Sequence, residues 1–249
     1  MFLPEERDRV RDRVLELAAS DARIVAAAVV GSLADGSGDR FSDLDLTFGI
    51  ADGVAVADVL ADWTRDLADR FDAIALLDLD TGSATYRVFL LPGWLQVDLS
   101  FAPHRVRRAA PAFRLLFGEE EVVQAASPAA EDVVGWAVLF ARHALVCVER
   151  EHWWHAEFCV SGVRDHALRL ACLRRGLPTA YGKGFDLLPG AVLAGFDEAL
   201  VRSLDREELR RSLAVAVGGL LREAAEVAPV APGIEAQLRA LTADRSSSG

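Results

Sequence analysis

At 249 residues the chain holds one large domain or two small ones, with ample material for a core. A net charge of −11 speaks against a polynucleotide partner, which needs a basic face, so no DNA is expected. No apolar run approaches the ~20 residues that cross a bilayer, and the N-terminus sets acids where an export signal needs bases, which predicts a cytoplasmic protein with no membrane partner.

Residues 4–20 read as an amphipathic helix, with Val10, Val14, Leu15 and Leu17 on one side. Residues 23–30 read as a buried strand that runs into Gly31-Ser32. A loop over 35–39 follows, then a second strand over 42–49. Residues 55–71 predict a helix and 73–79 a strand. Residues 85–91 and 94–101 alternate around Pro92-Gly93, a hairpin signal. The stretch 104–118 is basic and reads as a loop. From Pro128 onward strand signals stop, and helices are expected over 129–149, 152–175, 191–201, 205–227 and 233–242. The fold class is therefore α+β: a small mixed β-sheet flanked by helices over 1–122, an all-α bundle over 123–243, and a disordered tail over 244–249.

The chemistry concentrates at the end of the first strand. Gly31-Ser32 is followed, after ten intervening residues, by Asp43-Leu44-Asp45, within apolar flanks. Acids at i and i+2 on a strand point to one face. Two carboxylates side by side repel, and a divalent cation removes that conflict. Mg²⁺ takes one or two carboxylates and completes its shell with water and substrate phosphates. A Gly-Ser turn adds a hydroxyl and backbone N–H groups for phosphate. Together these residues predict a site for a metal-chelated triphosphate. Arg40 and Ser42, just before the acids, are placed to orient that triphosphate.

This order, Gly31-Ser32, spacer, Asp43-Leu44-Asp45, resembles the signature of the nucleotidyltransferase superfamily typified by DNA polymerase beta. The size and the second half are most similar to the bacterial aminoglycoside and lincosamide nucleotidyltransferases. The likeness is carried by motif over residues 20–102 and is general elsewhere. It implies that 1–122 is a catalytic nucleotidyltransferase domain and that 123–243 binds the acceptor. It implies an enzyme that uses Mg²⁺, with two ions, and an NTP, with ATP the expected donor. The nucleoside monophosphate would pass to a hydroxyl of a small-molecule acceptor, giving antibiotic resistance. An acidic protein suits a cationic acceptor. The family carries a third carboxylate on a later strand. Asp98 supplies it in Trp94–Phe101, where Gln96, Asp98 and Ser100 share one face. Asp43, Asp45 and Asp98 are thus the expected metal ligands. Relatives also place a helical-domain glutamate near the acceptor as general base, which points to Glu157, and the base is left between Asp98 and Glu157. Two other readings stay open: a protein- or tRNA-modifying nucleotidyltransferase of toxin–antitoxin type, and a non-catalytic nucleotide-binding relative. Oligomeric state is open as well.

Lys183 is the only lysine among 27 basic residues and lies between two glycines, where the backbone can approach a ligand; it is a candidate for the triphosphate. Tyr181 is a candidate to stack on the base or acceptor. Asp78-Leu79-Asp80 is a second Asp-x-Asp, but it runs into Thr-Gly and reads as a strand end and turn. Cys147, Cys159 and Cys172 fall in expected helices with no Cys-x-x-Cys spacing and read as buried thiols. His152 and His155 lack a His-Glu-x-x-His frame. There is no Walker A sequence, no complete dinucleotide fingerprint and no Gly-x-Ser-x-Gly elbow.

Overall fold

The computed structural model describes residues 1–108, 112–123 and 127–242, an α+β arrangement with strands in the first half and helices alone in the second. The tail expected over 244–249 lies outside the described residues. The chain divides into two units, Met1–Ala125 and Ala126–Gly249.

The first unit runs α1 (Pro4–Ser20), β1 (Ile24–Val30), α2 (Ser32–Asp35), β2 (Leu44–Ile50), α3 (Val56–Phe71), β3 (Ile74–Asp80), β4 (Thr85–Leu91), β5 (Leu95–Pro103), β6 (Val106–Arg108), β7 (Phe113–Phe117) and β8 (Glu120–Val122). Six strands form one sheet in the order β3-β4-β5-β2-β1-β7. The β2–β5 pair is parallel and its neighbours are antiparallel, so the sheet is mixed. The period of 2 in β2 and β5 explains the layering. Leu44, Leu46, Phe48 and Ile50, with Val97, Leu99 and Phe101, are buried in one core with Val10 and Val14 of α1 and Val59, Trp63 and Leu67 of α3. Trp63 packs edge-on against Phe48 at 5.0 Å and Phe101 at 5.5 Å between centroids. Its indole N–H is not lost in that burial, because it donates to Asp21 at 3.1 Å. The alternate residues Asp45 and Thr47, and Asp98 and Ser100, fall on the reverse face. There a small cluster of Ala26, Ala28 and Val106, with Phe113 against it, covers part of the surface.

Two expectations are corrected. The stretch 104–118, read as a loop, carries β6 and β7. β7 pairs antiparallel with β1, and β6 pairs parallel with β8. The partners lie far away or are only three residues long, so no local periodicity announces them. The helix expected over 191–201 is instead one turn, α6 (Gly190–Leu193), and a 3₁₀ turn over Asp197–Ala199. Gly195-Phe196 breaks it, and Phe196 leaves the helical path to become buried in the helical core.

The second unit is built from α4 (Ala130–Glu149), α5 (Trp153–Arg174), α6, α7 (Arg206–Val227) and α8 (Pro232–Thr242). Small residues line its helix contacts: Ala137, Ala141 and Ala144 of α4, and Ala156 and Ala167 of α5, are fully buried. They let the axes approach closely. Leu209, Leu213 and Leu220 of α7 complete the core. Asp205 caps α7 by accepting the Glu208 N–H at 2.9 Å. Among the described residues, no helix is long and apolar enough to cross a membrane.

Candidate functional site

The parallel register of β2 and β5 sets Asp45 directly opposite Asp98, and Asp43 lies two residues earlier, just before β2 begins. Adjacent strands are about 4.8 Å apart, so facing side chains on one face must meet. One carboxylate oxygen from each of Asp43, Asp45 and Asp98 falls within 4.8 Å of the other two. All three are half-exposed. Three carboxylates this close repel one another, and the donor set is hard oxygen alone, which suits Mg²⁺ rather than a soft metal. Gln96, two residues before Asp98 on the same face, donates its amide to both oxygens of Asp98, at 3.1 and 3.0 Å. Alternation along the sequence, the i, i+2 spacing, places Gln96 on that face, but no sequence pattern states its hold on Asp98.

Gly31 closes the arrangement from β1. Val30 pairs with Asp45, and the next residue turns sharply, with φ +72° and ψ −162° at Gly31. A Cβ at this position would lie 2.6 Å from Oδ2 of Asp45. Glycine is therefore required twice, by the backbone angle and by the carboxylate beside it. Ser32 opens the four-residue α2 and donates its hydroxyl to Ser42 Oγ at 3.0 Å. Ser42 Oγ in turn accepts the Asp39 N–H at 2.9 Å. The Gly-Ser turn and the residues before the acids are thus one hydrogen-bonded loop. Asp39 also accepts the Phe41 N–H at 2.8 Å, and that backbone donor holds its carboxyl below the usual range. Arg7 of α1, buried, donates to the Asp39 carbonyl at 2.8 Å and anchors the loop from the helix side. Nothing in the α1 pattern marks Arg7 for this task. Arg40 is exposed, with its guanidinium 4.3 Å from the Phe41 ring centroid.

The second Asp-x-Asp is spent on structure. Arg87 donates to both oxygens of Asp78 at 2.6 Å, which holds that carboxyl low, and Asp80 accepts the Gly82 N–H at 2.7 Å. The remaining candidates belong to the helical unit. Glu157 on α5 is half-buried and accepts the Ser161 hydroxyl at 2.7 Å. Tyr181 is almost fully exposed at φ +54°, and Lys183 is exposed two residues later in the same turn. Trp153 packs against the helical core, whereas Trp154 is exposed.

No family model matches the chain, and no curated protein matches it. Among solved structures it is similar, over 95% of its length and 97% of the other chain, to the crystal structure of an aminoglycoside 6-adenyltransferase from Bacillus subtilis. The identity is 13% and the TM-score 0.39, a likeness that carries no functional assignment.

Proposed function

We propose that the chain is a Mg²⁺-dependent nucleotidyltransferase that moves AMP from ATP to a hydroxyl of a small, cationic molecule such as an aminoglycoside or a lincosamide. The observation that carries this reading is the meeting of Asp43, Asp45 and Asp98 within 4.8 Å, with Gly31 pressed against Asp45. In the proposal these three acids hold the metal, as two ions. Magnesium bound there would draw charge from the nucleotide phosphates as a Lewis acid. Ser32, released from Ser42, would give its hydroxyl hydrogen to a phosphate oxygen, and the loop held by Arg7 keeps it in place. Arg40 and Ser42 flank the same phosphates. Asp98, oriented at both oxygens by Gln96, would accept the proton of the attacking hydroxyl. The acceptor oxygen then bonds to the α-phosphorus and pyrophosphate departs. Positioning and charge neutralisation supply most of the rate. Glu157 as acceptor ligand or base, Tyr181 as a stacking surface and Lys183 as a triphosphate contact are parts of the same proposal.

The test is incubation with α-labelled ATP, Mg²⁺ and a panel of aminoglycosides and lincosamides. The expected result is label on one acceptor with release of pyrophosphate, lost in Asp45→Asn. ATP binding with no transfer to any acceptor contradicts the small-molecule reading.

A further inference from the structure

The helical unit carries a second constellation of metal-ligating side chains that the nucleotide chemistry does not use. Cys147 lies in the last turn of α4, and His155 and Cys159 lie four residues apart in the first turns of α5. An i, i+4 pair projects from one side of a helix, so His155 and Cys159 face the same neighbour. That neighbour is Cys147. One ligand atom from each of the three residues falls within 4.8 Å of the other two. Both thiols are buried, at 5% and 1% exposure, while His155 is exposed. The cluster therefore sits at an edge of the helical core with its imidazole toward solvent.

The backbone fixes this meeting. Only three residues join α4 to α5. Within that corner Glu151 takes φ +59°, and the His152 N–H returns to the Cys147 carbonyl at 2.9 Å. The corner thus orients the Cys147 end of one helix onto the first turns of the next. Cys172 gives an internal comparison. It is as buried as the other two and lies on α5, yet among the described residues it belongs to no such group. Burial of a small apolar side chain explains Cys172; it does not explain an exposed histidine within 4.8 Å of two thiols.

We propose that Cys147, His155 and Cys159 bind a zinc ion that pins the α4–α5 corner. Tetrahedral zinc, with Zn–S near 2.3 Å and Zn–N near 2.0 Å, needs its ligand atoms about 3.5 to 3.8 Å apart. Donors within 4.8 Å of one another reach that spacing by a small contraction. Two thiolates and an imidazole select zinc over Mg²⁺, in contrast to the all-oxygen set of Asp43, Asp45 and Asp98. On binding, each thiol loses its proton, so one Zn²⁺ displaces two protons to solvent. Water takes the fourth position on the open side.

The experiment uses the full-length, reduced, metal-free protein titrated with Co²⁺. One equivalent is expected to produce a thiolate-to-cobalt charge-transfer band with tetrahedral d–d absorption, and Zn²⁺ is expected to bleach both. Cobalt on carboxylates gives no such band, so the acidic cluster cannot imitate the signal. Cys147→Ser and Cys159→Ser should each abolish the band, whereas Cys172→Ser should leave it. His155→Gln, at an exposed position, keeps the fold by circular dichroism and should weaken the cobalt affinity at least about tenfold. The His155 variant decides the matter where a buried cysteine variant fails to fold. A folded, reduced protein that binds cobalt without the band, or binds none, overturns the assignment. So does a band that His155→Gln leaves at full affinity.

Discussion

Replacing Gly31 with alanine separates the cost of a backbone angle from the cost of moving the Asp45 carboxylate, a metal ligand in the proposed function. At φ +72° and ψ −162° the backbone is in a region that is essentially glycine's alone, and a side chain there costs about 1–3 kcal/mol of stability. The new methyl would also lie 2.6 Å from Oδ2 of Asp45, where ordinary contact begins at 3.4 Å. The carboxylate must then retreat by about 0.8 Å. A misplacement near 1 Å costs roughly a hundredfold in rate, or about 2.7 kcal/mol in the barrier. Gly31→Ala is thus expected to fold, with a lowered urea midpoint, and to lose roughly a hundredfold in kcat/KM together with Mn²⁺ affinity. Gly36→Ala is the control. Its φ is +80°, but nothing lies within 4 Å of the new methyl. It should pay about 1–2 kcal/mol in stability and keep its metal affinity and activity. Equal Mn²⁺ affinity and activity in the two variants would refute the coupling of Gly31 to Asp45.

Asp98→Asn should abolish AMP transfer and weaken Mn²⁺ affinity, because it removes one of three carboxylates gathered within 4.8 Å; unchanged Mn²⁺ affinity would mean that Asp98 holds no metal. Gly219→Ala in α7 reverses the usual helix rule, under which alanine gains about 1 kcal/mol over glycine. Its methyl would run into the ring of the buried Phe196, so a loss of about 1–3 kcal/mol is expected in urea unfolding. The pH dependence follows from Glu208, whose carboxyl is held down to about 2, against 4.5 ordinarily, chiefly by the Arg211 guanidinium and also by the Arg202 N–H. A lowered folded pKa stabilises above the unfolded value and is lost as the pH falls from 4.5 toward 2. Glu208→Gln should therefore be less stable than the parent at pH 7, with the difference vanishing near pH 2.

The acids were legible because their signals are local. Alternation alone put Asp45 opposite in sense to Leu44 and Leu46, and Asp98 opposite to Val97 and Leu99. Their direct opposition comes from the parallel β2–β5 register, which no local pattern states. Gln96 was visible on the same face, yet its hold on Asp98 depends on a side-chain conformation. Arg7 was hidden more fully: it reads as one of several solvated arginines of α1 but reaches 32 residues along the chain to the Asp39 carbonyl. β7 is not legible locally, because Phe113–Phe117 forms its strand by pairing with β1 rather than through its own arginine-bearing sequence. The cysteines followed the same logic. Spacing of twelve residues between Cys147 and Cys159 carries no motif, and only the tight α4–α5 corner turns it into a constellation with His155.

A crystal grown with Mn²⁺ and a non-hydrolysable ATP analogue tests the central claim most directly. The account predicts anomalous density among Asp43, Asp45 and Asp98, at coordination distance from their oxygens, with the phosphates over Gly31-Ser32. Manganese and phosphates bound elsewhere, with those three carboxylates free of metal, would contradict it.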